Sequence, residues 1–375
     1  MLARNHLDIN VGISLWGSHH EQLLIRLNNP FRTMSKLTRD KPSNERRALS
    51  TNCTEYFNPE YTWTRKFLSG NIENIIQRNA ENLRQFEKEF GKIDLIHAHV
   101  TYPAGYIAMH LASVHKVPYV ISEHMTPFPF PTFNSVERDL NKWLKGPLLK
   151  SSAIIAVSTF LTEKINSFSK KEALTYPNFI DEETFEPKER KTPSTGKLLS
   201  VGRLEEQKNH ANLLRAVKIL IEQNLDVTLT IAGSGRLEKS LKQMCDQLAI
   251  TNSINWAGEM DRVQIRHLLQ ENDMMILSSD HENNPVALIE ALASGKPIIS
   301  TACRGPEDIV HSKNGLLATV SDPEDLARQI MNLIENYDQY DPKVIRKDFE
   351  KRFSSKVITP KIVDLYKKVI AEHRG

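Results

Sequence analysis

Short apolar runs alternate with helical stretches twice along this chain, and that alternation restricts the fold more than any other feature. In the first series the strand candidates are residues 8–15, 93–99, 118–124 and 152–158, with helices at 72–90 and 104–116. Ile72, Ile75, Ile76, Leu83 and Phe86 recur at helical spacing on one face. A second series begins at Lys197. Strands that alternate with helices lie parallel in a sheet covered on both faces. The stretch between the two series is polar and proline-bearing, the composition of an interdomain linker. The expectation is an α/β protein of two Rossmann-like domains facing a cleft, at 1–175 and 197–357, joined by a linker at 176–196.

A chain of 375 residues has room for two such cores. Cys53, Cys245 and Cys303 are far apart and form no C-x-x-C, so they read as unpaired thiols in a reducing compartment rather than a zinc site. No apolar stretch approaches the ~20 residues of a membrane span. Residues 1–6 have no apolar core behind them, unlike a secretory leader. Charge is divided unevenly: through residue 175 there are 22 Lys and Arg against 16 Asp and Glu. That surplus of six is equally scatter among solvated side chains or a basic face toward an anionic membrane. No dense Lys/Arg stripe with interleaved aromatics points to nucleic acid.

The segment 273–297 carries the most chemistry. Asp273-Met274-Met275-Ile276-Leu277 reads as a buried parallel strand. Asn284 is placed to cap a helix with Pro285 in its first turn, and Gly295-Lys296-Pro297 to end it. Glu282 then sits in the loop at the strand's carboxyl end and Glu290 on the helix's second turn. A helix N-terminus at that edge of a sheet is where α/β proteins place phosphorylated ligands. Two carboxylates flanking it suit the vicinal hydroxyls of a sugar nucleotide, one for a hexose and one for a ribose, with the diphosphate between. The E-x7-E spacing alone is equally that of two solvated acids. The S-S-x-x-E lead-in, the exit E-A-L-A-S-G-K-P and the preceding strand favour the site.

With those residues in view, the run resembles the signature of the retaining glycosyltransferases of family 4, a GT-B group. Val201-Gly202-Arg203-Leu204…Lys208 resembles that family's V-G-R-L-x-x-x-K loop. The strand and glycine turn ending in Ala232-Gly233-Ser234-Gly235, then Trp256-Ala257-Gly258, then Gly305-Pro306-Glu307 follow in the family's order. The resemblance implies that Arg203 and Lys208 bind the donor diphosphate and stabilise it as it departs. Glu290 would hold the ribose and Glu282 face the transferred sugar. Gly233, Asn283, Asn284, Pro285 and Val286 would line the donor site, the last few through backbone N–H groups, with Asn283-Asn284-Pro285 standing where relatives have G-F-G.

His124 matches the acceptor-side histidine, and His97 and His99 are assigned to loop packing or acceptor contact. Asn178 and Asp181 resemble a hinge element. The family's C-terminal helix, here 358–375, would cross back to the first domain. Residues 1–11 resemble the tail of the first helix and the second strand, so the first domain is expected to lack its first strand unit.

The function implied is metal-independent, retaining transfer of a hexose-type sugar from a nucleotide-diphosphate sugar, with no cofactor. The acceptor would be a glycan or lipid-linked glycan in cell-surface polysaccharide or lipopolysaccharide synthesis. The location would be the cytoplasm, at most peripheral to the inner face of the membrane. Two alternatives stay open: an inactive GT-B scaffold that binds or regulates, and a non-transferring GT-B enzyme such as an epimerase or phosphorylase.

Overall fold

A computed structural model describes residues 1–17, 43–62, 68–129, 141–187 and 196–375. Among them, three sheets are formed. In the second half the strands are β8 (Lys197–Val201), β9 (Thr228–Ala232), β10 (Ile254–Gly258), β11 (Met274–Leu277), β12 (Ile298–Thr301) and β13 (Gly315–Ala318), all parallel. Their spatial order is β10-β9-β8-β11-β12-β13. Every residue of β11 and β12 is buried, as a sheet covered on both faces requires. One contiguous core holds this domain together, running from Leu198 and Leu199 through Leu288 and Ile289 to Phe349 and Phe353.

The first half divides differently. Strands β1 (Val11–Leu15), β2 (Glu45–Ser50) and β3 (Cys53–Phe57) make one sheet in the order β1-β3-β2, with β2 antiparallel. Strands β4 (Ile96–His99), β5 (Tyr119–Glu123), β6 (Ala153–Ala156) and β7 (Leu174–Thr175) make a second, parallel sheet in chain order. Among the described strands, β1 is bonded only to β3 and β4 only to β5, so each presents one open edge. Helix α1 (Ile72–Phe90) spans the two pieces. Its Ile72 and Ile75 pack with Tyr106, Ile107 and Leu111 of helix α2 (Tyr106–His115), and with Trp16 just past β1.

Asn79 and Asn82 are buried on the same face of α1, where periodicity shows only apolar residues. Their burial is offset by bonds to strand ends: Asn82 Nδ2 donates to the carbonyls of Leu15 and Tyr56, and Ser14 Oγ donates to Asn79 Oδ1 at 2.7 Å.

Helix α3 (Thr159–Ser169) follows β6, helix α4 (His210–Glu222) follows β8, and helix α5 (Val286–Ala293) follows β11. The last helix, α6 (Ser355–Arg374), leaves the second domain and lies on the first. Its Leu365 and Val369 pack against Val120 and Ile155. Arg374 pairs with Asp94, and the hydroxyl of Tyr366 meets His97 Nδ1. At the hinge, Asn178 N donates to Asn284 Oδ1 at 2.9 Å, and Asp181 accepts from Arg4 and from Glu183 N. Residues 188–195 of the expected linker lie outside the described residues. All three cysteines are buried and free.

Candidate active site

The chain runs outward from β8 through β9 and β10, then restarts on the other side of β8 at β11. The strand order reverses between those two neighbours, and loops leaving their carboxyl ends part around a crevice. That is the ligand site of open α/β sheets. Here the two loops carry the V-G-R-L-x-x-x-K residues and Glu282, so residues 74 positions apart are brought together. Backbone and side chains tie the loops: Ser278 Oγ donates to Lys208 O at 3.0 Å, Asp280 N to Gln207 O at 2.9 Å, and Gln207 Nε2 to His281 O at 2.6 Å.

Lys208 Nζ meets Glu282 Oε1 at 2.5 Å, and Ser279 Oγ donates to the same oxygen at 2.7 Å. Glu282 is 8% exposed, so this is a charge pair held largely out of water. Arg203, at the mouth of the same crevice, is exposed and joins no ion pair among the described residues. Gly233 has φ +145° and passes so close to Gly202 that a Cβ would stand 2.0 Å from its carbonyl oxygen. A side chain there would push the Arg203 loop off the β9 turn. Gly305 plays the same part after β12: a Cβ would lie 2.0 Å from Asn283 O, and its N–H donates to Glu282 O at 3.1 Å.

Helix α5 departs from the sequence-based expectation at its start. Pro285, not Asn284, is the N-cap, and no side chain caps the helix. Asn284 instead turns its amide to the hinge, where its Oδ1 accepts from Asn178 N and its carbonyl from Asn178 Nδ2. A cap residue serves its own helix only if nothing else competes for its oxygen. Here the hinge wins, and among the described residues the N–H groups of Val286 and Ala287 stay open to an anion, while that of Leu288 donates to Pro285 O at 3.1 Å. Glu290 sits one turn further along, and among the described residues its carboxylate has no hydrogen-bond partner. Withdrawal from water pushes its pKa up to about 7, with Arg262 only partly opposing the rise. Gly295, at φ +69°, ends the helix in the left-handed turn its sequence suggested.

Across the cleft, three imidazoles stack at the tips of β4 and β5. His97 lies over His99 at 4.7 Å between centroids and His99 over His124 at 5.2 Å. His99 Nδ1 and His124 Nε2 are 3.0 Å apart, a pairing that needs one nitrogen bare. His97 Nε2 also contacts Ser122 Oγ at 2.8 Å. Burial pushes all three pKa values down, His124 to about 4 and His97 to about 3, with the neighbouring imidazoles adding to the fall for both. The native state thus keeps these rings neutral while an unfolded chain protonates them below pH ~6.5.

Stability should therefore fall as pH drops from about 6.5 toward 4, each ring contributing up to ~1.4 kcal/mol per pH unit. Urea midpoints at pH 7 and 5 measure this. An equal loss in His124→Gln would mean that His124 is not one of the groups responsible.

Two residues that sequence reasoning passed over complete the site. Glu123 is 1% exposed and its carboxylate accepts from the backbone N–H groups of Thr101, His124 and Met125. An acid inside the apolar run 119–123 was the available signal. Tyr366 could not be connected to His97, 269 positions earlier, by any local pattern. Among the described residues no three His, Cys, Asp or Glu side chains are grouped to hold a metal.

Comparison with known proteins decides what this crevice belongs to. Residues 181–351 match the family model for glycosyl transferases group 1, and residues 45–184 the model for glycosyltransferase family 4. The chain belongs to the group 1, family 4 glycosyltransferases. The amylovoran biosynthesis glycosyltransferase of Erwinia amylovora is 30% identical over 182 residues, 46% of this chain and 45% of that protein. The sucrose-phosphate synthase of Thermosynechococcus elongatus superposes with TM-score 0.73 at 16% identity, covering 96% of this glycosyltransferase and 99% of the synthase. HepE of Anabaena, solved with UDP and glucose, superposes with TM-score 0.66 at 18% identity over 83% and 86%. The fold is GT-B, and the glycosyltransferase has no described helix long and apolar enough to cross a membrane.

Proposed function

We propose that this glycosyltransferase moves a hexose-type sugar, with retention of anomeric configuration, from a nucleotide-diphosphate sugar to a glycan or lipid-linked glycan of a cell-surface polysaccharide. Glu290 carries the reading. A desolvated carboxylate without a partner costs stability, and a ribose diol supplies the two donors it lacks. Arg203, Lys208 and the uncapped start of α5 gather positive charge where a diphosphate would lie, and Glu282 stands beside Lys208 for the sugar. A relative named for amylovoran biosynthesis and a structural neighbour holding UDP and glucose point the same way.

In the reaction, the acceptor oxygen bonds to the anomeric carbon on the face from which the diphosphate leaves. The bond to the β-phosphate oxygen breaks, and that oxygen takes the acceptor's proton. Arg203 and Lys208 hold the charge that grows on the leaving group, a role for fixed cations that needs no divalent ion. His124 lies on the acceptor side and orients the sugar.

Thermal stabilisation by uridine, guanosine and adenosine diphosphate sugars identifies the donor. A ligand at ~100 times its dissociation constant should add about 2.7 kcal/mol. Arg203→Ala should weaken the diphosphate by roughly 1.5–3 kcal/mol. Product NMR should show the donor's anomeric configuration kept, in the presence of chelator. An inverted product, or activity that only manganese restores, would overturn the mechanism.

A membrane-borne acceptor is supported by an exposed Leu149 between Lys145 and Lys150 on the first domain. Flotation with anionic liposomes should succeed at low salt and fail at high salt. No flotation at low salt would favour a soluble acceptor.

A further inference from the structure

The donor-side loop reaches across the cleft at one side chain. Asn283, next to Glu282 and 4% exposed, donates through Nδ2 to Met125 O at 2.6 Å and to His124 O at 3.3 Å. The N–H groups of the same two residues are taken by Glu123, whose Oε1 accepts from His124 N at 3.0 Å and Met125 N at 2.9 Å. The turn that presents the His124 imidazole is thus gripped from beneath by its own domain and from above by the other. His99 holds the ring itself at 3.0 Å.

The two domains have other links. Asn284 bonds to Asn178 at the hinge, and Asp308 of the second domain accepts from Thr159 N and Oγ1 at the start of α3. Asn283 is therefore not needed merely to keep the halves together. Its distinct feature is what it joins: the peptide after Glu282 and the carbonyl of His124.

We infer that Asn283 is a positioning residue that couples the donor loop to His124, so that the sugar-side carboxylate and the acceptor-side imidazole are set at one separation. This rests on the function proposed above. A glycine at position 283 would have no side chain to make this bridge. A donor that draws Glu282 toward its sugar displaces residue 283 with it, and Asn283 passes the displacement to the His124 turn.

The test uses the full chain and compares wild type with Asn283→Ala. The probes are whichever nucleoside diphosphate stabilises the wild type, the matching sugar donor, and spin labels at Glu172→Cys and Glu222→Cys. Three results are expected together in Asn283→Ala. Nucleoside-diphosphate affinity stays within about threefold of wild type, and kcat falls at least tenfold with donor KM little changed. Third, adding the diphosphate shifts the His124 imidazole NMR resonance in wild type but not in the variant. Unchanged kcat, or a parallel loss of affinity and kcat, overturns the inference.

Should no nucleoside diphosphate bind the wild type, the function reading fails, and the label distances decide the bridge alone. A broader distance distribution in ligand-free Asn283→Ala than in wild type sustains it, and identical distributions overturn it.

Discussion

Glu290→Gln is expected to make the protein more stable at pH 8 and a much poorer binder of nucleotide. The native carboxyl titrates at about 7 against an ordinary 4.5, so between those values the folded chain keeps a proton that the unfolded chain has lost. Stability from this group falls as pH rises through that window, and above it the full penalty of a desolvated charge remains. Because Glu290 is partly exposed, the penalty is discounted to about 2 kcal/mol. Glutamine removes it. The same change takes away the charged acceptor for a diol, worth roughly 1.5–3 kcal/mol, or about 10- to 100-fold in affinity. Melting curves at pH 5 and 8 with calorimetric titrations read both effects. A variant that binds like wild type, or that gains nothing at pH 8, removes Glu290 from the donor site.

Lys208→Ala should be the most damaging substitution in the crevice, and for two separable reasons. A diphosphate loses a cation, and Glu282 is left desolvated with only Ser279 Oγ for company. A lysine that only bound phosphate would cost binding and not stability; the 2.5 Å pairing with Glu282 adds the stability loss. Removing one partner of a buried pair costs about 3 kcal/mol, most of it the orphaned charge. Adding Glu282→Gln neutralises that charge. The double variant is therefore expected to recover most of the stability and none of the turnover. Denaturant midpoints for the two single variants and the double, with activity alongside, separate the two reasons. If the double variant is no more stable than Lys208→Ala, the pair does not carry the energy assigned to it.

What the sequence could disclose was local. Helix α1 is bounded by the same residues that its periodicity gave, Ile72 and Phe90, because an amphipathic stripe of that length leaves little choice. The strand–loop–helix around Glu282 and Glu290 was legible for the same reason: an apolar run, a proline and a closing Gly295 each act over a few residues. What the sequence did not disclose was which distant partner a polar side chain meets. Asn284 had the right chemistry to cap α5 and was claimed by Asn178, 106 positions away. Asn79 and Asn82 gave no local signal, because the strand ends they satisfy belong to another part of the chain. Lys208 and Glu282 were each assigned to a ligand, and nothing in their spacing shows that they also hold one another.

The path of α6 has a consequence for how the protein is made. Val120 and Ile155 of the first domain are covered by Leu365 and Val369, residues that a ribosome adds roughly 10–50 s after Val120 at 5–20 residues per second. For that interval the earlier half has one apolar flank bare, however completely its other layers have condensed, and is open to chaperone capture or to sticking. Its closure waits for the residues of α6. A chain released just before α6 would thus have a sound second half and an unsealed first half.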